Sequence, residues 1–451
     1  MPTPDEDLPM ALDLLHSSTF KVLGIGFLAL LMLIPLAQVQ GLIGERNQLR
    51  ESAVAAIAQS WGAQQQIGGP VLAVPKRMRV ANSNGWITLD STEILLPDQL
   101  DIRATLQPDR RRYGIYETPV YAAEMKITGH FLARDIASLA GSETTYLWDQ
   151  AQLRLPVTDV RGLRRVAALR VAGAEYQFGP GEGGVGSIGA IAAPFDASKA
   201  HDDRIPFEID LTLAGTQNLE FLPLARHTEV ALSAPWPDPS FVGAFLPAEH
   251  RIDAKGFEAH WQVLDLNREF GQHWQQNGDR LPIVNGAGFG VSLYQPAGVY
   301  QQNVRAGKYG LLFVALTFVA FFLFEVLRRL RVHPVQYLLI GLALTTFYVV
   351  LLALSEQIGF GWAYAIASTV VVLMVSGYAA AVLRTRRAGA VLGGVLALVY
   401  ALLYGLVVSE EYSLLMGAFA LLGVVAAVMY LTRRVDWYAA TALRTATPNI
   451  L

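Results

Sequence analysis

The chain has 451 residues, 53% of them hydrophobic and 16% charged, with a formal net charge of −3. This mixture is too apolar for an ordinary soluble protein and too charged for one embedded throughout. It implies a membrane part joined to a soluble part, without the basic footprint that nucleic acid requires. The lack of any cysteine excludes disulfides, iron–sulfur clusters, thiol catalysis and Cys-based zinc motifs, and no cofactor or metal is expected.

After a tail over 1–19, the first predicted element is a membrane span over 20–43. Val22 to Ile43 carries no charged residue, and about 20 apolar residues cross a hydrocarbon core of about 30 Å. Pro35 kinks such a helix rather than forbidding it. Ala37-Gln38-Val39 is a poor cleavage site, so an uncleaved anchor is preferred to a signal peptide. A helix over 44–66 follows, with Ala53, Ala56, Ile57 and Ser60 at helical spacing. Gly68-Gly69-Pro70 is the expected stop.

The period then changes to two. Leu100 to Leu106, Met125 to Phe131, Ala151 to Leu155, Phe207 to Leu213 and Phe257 to Val263 each alternate apolar with polar residues. These runs predict half-buried strands, separated by turn residues such as Asn84-Gly85, Pro97-Asp98 and Pro108-Asp109. The region suits antiparallel sheets in a sandwich-like, mainly-β domain of one or two lobes, with the best internal boundary in the glycine-rich loop near 179–190.

Few motifs here carry chemistry. Gly181 to Gly186 fits G-x-G-x-x-G, but no helix follows it, so a dinucleotide site is not read. Of eight histidines, none forms H-E-x-x-H, and His201-Asp202-Asp203 reads as a solvated loop rather than a metal site. Ser187 lacks the glycine of a nucleophile elbow. Asp159 and Arg161, followed by Gly162, Arg164 and Arg165, read as a turn held by an ion pair. The functional alternative is a site for an anionic glycan or lipid headgroup.

Five more spans are predicted near 309–327, 336–354, 361–383, 389–408 and 412–431, leaving a tail over 432–451. The loops between them alternate in charge: Arg328, Arg329 and Arg331, then Glu356, then Arg384, Arg386 and Arg387, then Glu410 and Glu411, then Arg433 and Arg434. Positive loops remain cytoplasmic. This pattern sets 44–308 outside, in the periplasm of a bacterium, and with six spans both termini inside. The expected fold is therefore a six-helix membrane α-helical bundle plus a large extracytoplasmic mainly-β domain.

Ionisable residues in or near spans point to function. Glu325 is expected to pair with Arg328 and Arg329 one turn away. His333-Pro334 opens the next span, with proline in the first turn. Glu356, Glu410 and Glu411 are read as solvated loop charges. Their functional alternative is an acidic cluster that binds a cation or relays protons. Glycines such as Gly341, Gly377, Gly393, Gly394 and Gly423 are expected to permit close helix packing.

Several strings together carry a family resemblance. They are Arg46-Asn47-Gln48-Leu49-Arg50, Trp61-Gly62, Gly69-Pro70-Val71-Leu72-Ala73-Val74-Pro75, Asp159-Val160-Arg161-Gly162 and Leu266-Asn267-Arg268. In the membrane part, His333-Pro334-Val335-Gln336-Tyr337 is followed about 20 residues on by Leu354-Ser355-Glu356. With this layout the chain resembles the CreD family of inner membrane, cell-envelope-integrity proteins over nearly its full length. The resemblance implies one N-terminal span, a periplasmic domain and a C-terminal bundle, and an association with envelope stress response. It supplies no catalytic residues. Gln357 stands where many relatives are expected to have His, which argues against a Glu–His pair.

The leading expectation is a non-enzymatic envelope protein. Its β-domain would bind a periplasmic protein, peptidoglycan or a lipid headgroup, and the bilayer itself is a partner. The competing class is an ion- or lipid-moving bundle using Glu325, Glu356, Glu410 and Glu411. An envelope hydrolase ranks third.

Overall fold

The structure, a computed structural model, describes residues 18–82, 85–139, 144–166, 168–181, 183–199, 202–276, 283–293, 298–327, 332–409 and 413–433. The chain divides into two compact units. One comprises Met1–Leu49 with Ala297–Leu451, and the other Arg50–Pro296.

The first unit is helical. Helices α1 (Ser18–Leu31) and α2 (Leu33–Trp61) are parted at Met32. Pro35 lacks the N–H that would bond the Leu31 carbonyl, and its ring crowds that carbonyl, so the break falls one turn before it. Then come α3 (Val299–Lys308), α4 (Gly310–Leu327), α5 (Pro334–Ile358), α6 (Phe360–Val382), α7 (Arg386–Val408) and α8 (Ser413–Thr432). Among the described residues five helical segments are long and apolar enough to cross a membrane, with α1 and α2 counted together as Lys21–Trp61. The number is six if α3 and α4, which meet at a 45° bend, form one span.

Aromatic rings fill the middle of this unit. Phe347 lies 5.0 Å from Tyr348, 5.4 Å from Tyr364 and 4.7 Å from Tyr400, ring centre to ring centre. Close packing uses some of the expected glycines. A Cβ on Gly341 would meet Met32 Sδ at 2.7 Å, and Gly393 is pressed against Ser376. Gly377, Gly394 and Gly423 have no neighbour within 4 Å of that position among the described residues. At these three the permitted close approach is not used, since a small residue allows it without requiring it.

The second unit is mainly β. A four-stranded sheet runs in the order Gln65–Ile67, Asn218–Phe221, Phe289–Ser292, Ser240–Gly243. A seven-stranded sheet is centred on Gln152–Pro156, Val71–Asn82 and Gly85–Leu95. A nine-stranded sheet is centred on Arg204–Thr216, Tyr116–Leu132, Gln99–Tyr113, His227–Ala234 and Gly256–Leu264, with Glu249–Asp253 beyond them. The five alternating runs are all strands, and Leu100, Ile102, Leu106, Ile127, Ile209 and Trp261 are fully buried. One hydrophobic core holds residues of all three sheets, from Ile67 and Leu153 to Leu213 and Phe289.

Most pairings are antiparallel, as expected. Among the described residues two are parallel: Gln65–Ile67 with Leu219–Phe221, and Gln99–Thr105 with His227–Ser233. Each joins strands more than a hundred residues apart in sequence, which supplies the long connection that parallel strands need. The stretch near 179–190 lies within this unit. Gly179–Pro180 pairs with Ile191–Ala192, and Val185 and Ile188 are buried in a second core with Val71 and Ile94.

Helix α2 stops at Trp61, ahead of the expected stop at Gly68. Gly62 has φ +135°, and a Cβ there would lie 2.6 Å from the Ala214 carbonyl oxygen. A left-handed residue in close contact with another strand ends the helix, and only glycine fits. Gln65–Ile67 is thereby released to join the four-stranded sheet.

Candidate functional site

Glu325, in the last turn of α4, is 5% exposed. Its carboxylate accepts from the Lys21 ammonium of α1, from the Tyr337 hydroxyl of α5 at 2.9 Å and from the Val332 N–H at 3.0 Å. Lys21 also donates to the Val332 carbonyl at 3.0 Å. The expected partners Arg328 and Arg329 lie outside the described residues. The carboxylate is thus held by groups from three segments of the chain. Lys21 was missed as its partner, although its place at the start of the first span matches that of Glu325 at the end of another.

His333 caps α5. Its Nδ1 accepts from the Val335 N–H at 3.3 Å, and the Gln336 side chain accepts in return from the His333 N–H at 3.2 Å. With Pro334 in the first turn, this is a reciprocal cap, and it occupies one nitrogen of the imidazole.

Glu356, in the last turn of α5, is not the solvated loop charge expected of it. Its side chain is 10% exposed. It accepts from the Tyr300 hydroxyl of α3 at 2.8 Å and has Arg46 Nε of α2 at 3.9 Å. Next to it, Asn303 of α3 donates to Ser355 Oγ at 2.9 Å. The end of α5 carries the negative end of the helix dipole, so a carboxylate there gains from a nearby guanidinium and a hydroxyl. Glu410 and Glu411 lie outside the described residues.

In the β unit, Asp159 and Arg161 form the turn expected of them. Arg161 donates to both oxygens of Asp159 through Nε at 2.8 Å and Nη2 at 3.0 Å. The carboxylate also accepts from the N–H groups of Arg161 and Ala63, at 3.1 and 3.0 Å. Burial pushes the Asp159 carboxyl up, but the Arg161 side chain and these N–H groups outweigh burial and hold it below the ordinary carboxylate range. Gln65, 1% exposed, bonds the Asp159 carbonyl and N–H and the Ala214 carbonyl. Trp61 lies beneath the guanidinium groups of Arg111 and Arg164, at 4.6 and 4.9 Å, and donates to the Tyr121 carbonyl. Trp61-Gly62 and Asp159-Val160-Arg161-Gly162 are thus one structural joint. Its acceptors are occupied by the chain's own donors.

The outer face of the nine-stranded sheet is different. A groove of 540 Å³ opens over Arg103, Thr105, Ser233, Glu249, Glu258 and His260. A second depression of 290 Å³ shares Thr105, Ser233, Arg251 and Glu258 and continues to Lys255. Arg103, Thr105, Ser233, Glu258 and His260 lie on the polar side of alternating strands, whereas Glu249 and Arg251 belong to a strand exposed at every position. That they converge follows from the register between strands.

The comparisons with known proteins match this architecture. The sequence model of the family described as inner membrane protein CreD matches residues 17–438. The inner membrane protein CreD of Escherichia coli (strain K12) is 33% identical over 414 residues, covering 91% of each chain. With its apolar helices and its large β unit, the chain is a multi-pass inner membrane protein and belongs to the CreD family.

Proposed function

We propose that this CreD-family chain is a non-enzymatic envelope protein whose β unit binds a periplasmic component and whose helical unit anchors it. In this reading residues 44–308 are periplasmic and both termini cytoplasmic, on the strength of the loop arginines. One contrast carries the proposal. Glu325, Glu356 and Asp159 are engaged by donors of the chain itself, whereas the groove on the nine-stranded sheet presents polar side chains to solvent. Satisfied carboxylates hold a structure together; open convergent polar groups receive a ligand.

The test uses expression-matched full-length chains in a deletion strain under envelope stress. Glu325→Gln, Glu356→Gln, Glu410→Gln and Glu411→Gln together should retain most of the rescue. The chain has no cysteine, so Thr105→Cys provides a single specific cross-linking position in the groove, and it should capture a periplasmic component in intact cells. Loss of rescue by the four-carboxylate variant at normal expression would instead favour a bundle that moves an ion or lipid. The 45° bend between α3 and α4 is the feature that supports this second reading, since broken helices line substrate sites in transporters.

A further inference from the structure

The groove on the nine-stranded sheet has an arrangement of charge that selects a class of ligand. Its geometry follows from the strand register. Arg103 pairs with Ala231, Ala231 with His260 and His260 with Glu249, forming one row across four strands. The next row on the same face is Thr105, Ser233, Glu258 and Arg251. The strand His227–Ala234 contributes the short side chains Ala231 and Ser233, while its neighbours contribute long ones. The face therefore dips along that strand, with Arg103 on one wall and Glu258, His260, Glu249 and Arg251 on the other.

The two walls differ in net charge and in freedom: Arg103 is the charged residue of one, while on the other Arg251 is held by Asp253 and Glu249 and Glu258 are not paired among the described residues. Arg103 has a partner on its own strand, Asp101 at 3.4 Å, and Arg251 has Asp253 at 3.2 Å. Both arginine side chains are 76% exposed, and such surface pairs are worth little and exchange readily. The side chains of Glu249, Glu258 and His260 make no hydrogen bond or ion pair among the described residues. The floor adds the hydroxyls of Thr105 and Ser233, 3.5 Å apart.

A polyanion would meet the two free carboxylates, and a polycation would meet Arg103 and Arg251. Among the described residues no group of three His, Asp or Glu side chains is placed to hold a metal. A ligand with an ammonium at one end and a carboxylate at the other satisfies both walls. Neighbouring strands are about 4.8 Å apart, so the strands of Arg103 and Glu258 are about 10 Å apart. Side chains reaching inward shorten the gap, and an extended chain covers about 3.5 Å per residue. Two or three residues fit.

The geometry points to a binding site for a short zwitterionic peptide lying across this groove. Its carboxylate meets Arg103, its ammonium lies between Glu249 and Glu258, and its amides meet Thr105 and Ser233. This rests on the reading of the β unit as the binding module.

Calorimetric titration of the full-length detergent-solubilised protein with trialanine tests it, alongside N-acetyl-trialanine, trialanine amide and the doubly capped peptide. Capping either end should weaken binding by about tenfold or more. Arg103→Gln should weaken trialanine but leave the amide unchanged. Glu249→Gln with Glu258→Gln should weaken trialanine but leave the N-acetyl form unchanged. All three positions are exposed, so the melting midpoint should not move and a folding defect would be visible. Equal affinity for free and doubly capped peptide, or no saturation at millimolar concentration, overturns the proposal. If trialanine fails while Thr105→Cys still captures a periplasmic component, the ligand class falls and the binding-module reading stands. If both fail, both fall.

Discussion

Replacing Lys21 by methionine should damage the helical unit more than removing the charge of its partner. Lys21→Met leaves the Glu325 carboxylate, 5% exposed, with the Tyr337 hydroxyl and the Val332 N–H but no ammonium. Breaking a buried ion pair from one side costs about 3–5 kcal/mol. Two remaining neutral donors bring the expected cost to the lower end, about 3 kcal/mol. Glu325→Gln leaves the other charge unpaired, but the Lys21 side chain is 27% exposed. Its long stem can carry the ammonium to the interface, so the expected cost is about 1–2 kcal/mol. The double variant removes both charges, and the glutamine oxygen still accepts one hydrogen bond. It should lie within about 1 kcal/mol of the parent chain.

The assay is thermal unfolding of the full-length protein in one detergent, comparing the helical unit's midpoint across the four members of the cycle. The expected order of loss is Lys21→Met, then Glu325→Gln, then the double variant. Two results would refute the reasoning. One is Glu325→Gln proving as harmful as Lys21→Met, which would mean that the lysine cannot reach water. The other is a double variant as damaged as the sum of the singles, which would mean that the two groups do not interact.

Three further outcomes follow from the β unit. Asp159→Asn should cost about 1–2 kcal/mol at neutral pH, the worth of a charge-assisted pair. Burial opposes ionisation of Asp159, yet its Arg161 and N–H donors hold the folded carboxyl below its unfolded value. The contribution is therefore complete above a pH of about 4 and is lost as pH falls through the lower folded value. Denaturation curves of the two proteins should converge in acid, and a gap that widens there would contradict the pairing. Gly62→Ala should destabilise the β unit by about 2 kcal/mol or more, from its positive φ and the Ala214 carbonyl, measured as earlier proteolysis on heating. Arg268 is 9% exposed, its Nε and Nη1 have no acceptor among the described residues, and burial pushes its guanidinium down to about 10. Arg268→Met should be neutral or stabilising by up to about 2 kcal/mol, and a drop in the melting midpoint would show that those N–H groups are satisfied.

The features that were legible in sequence are those set by neighbours along the chain. Alternation placed Leu100, Ile127, Ile209 and Trp261 in a core because a strand turns every second side chain to one face. Hydropathy located the apolar helices, and Asp159 with Arg161 was readable as a pair because a single residue separates them. Features set by register were not legible. Arg103 and His260 share a row through a parallel pairing that no local rule announces. The end of α2 at Gly62 depends on the Ala214 carbonyl of a distant strand. The groove was therefore visible only as a set of exposed polar positions, each unremarkable alone.

The first membrane helix shows the same limit in a form with consequences. The charges flanking it, Lys21 on one side and Arg46 and Arg50 on the other, are alike in sign and set no orientation. Two of them have partners. In the structure Lys21 and Arg46 each meet a carboxylate of the C-terminal helices, Glu325 and Glu356. At 1.5 Å per residue, Lys21 and Arg46 are about 37 Å apart along the helices, slightly more than a hydrocarbon core of about 30 Å. Helix α5, with 25 residues between its cap and its end, has about the same length. Two ionic ties thus hold the first helix against the others at opposite ends of its apolar stretch. A charge neutralised by a partner at the same depth contributes little to a positive-inside bias. That is why charge counting gives no orientation at this span. It is also why this helix is an integral member of the bundle.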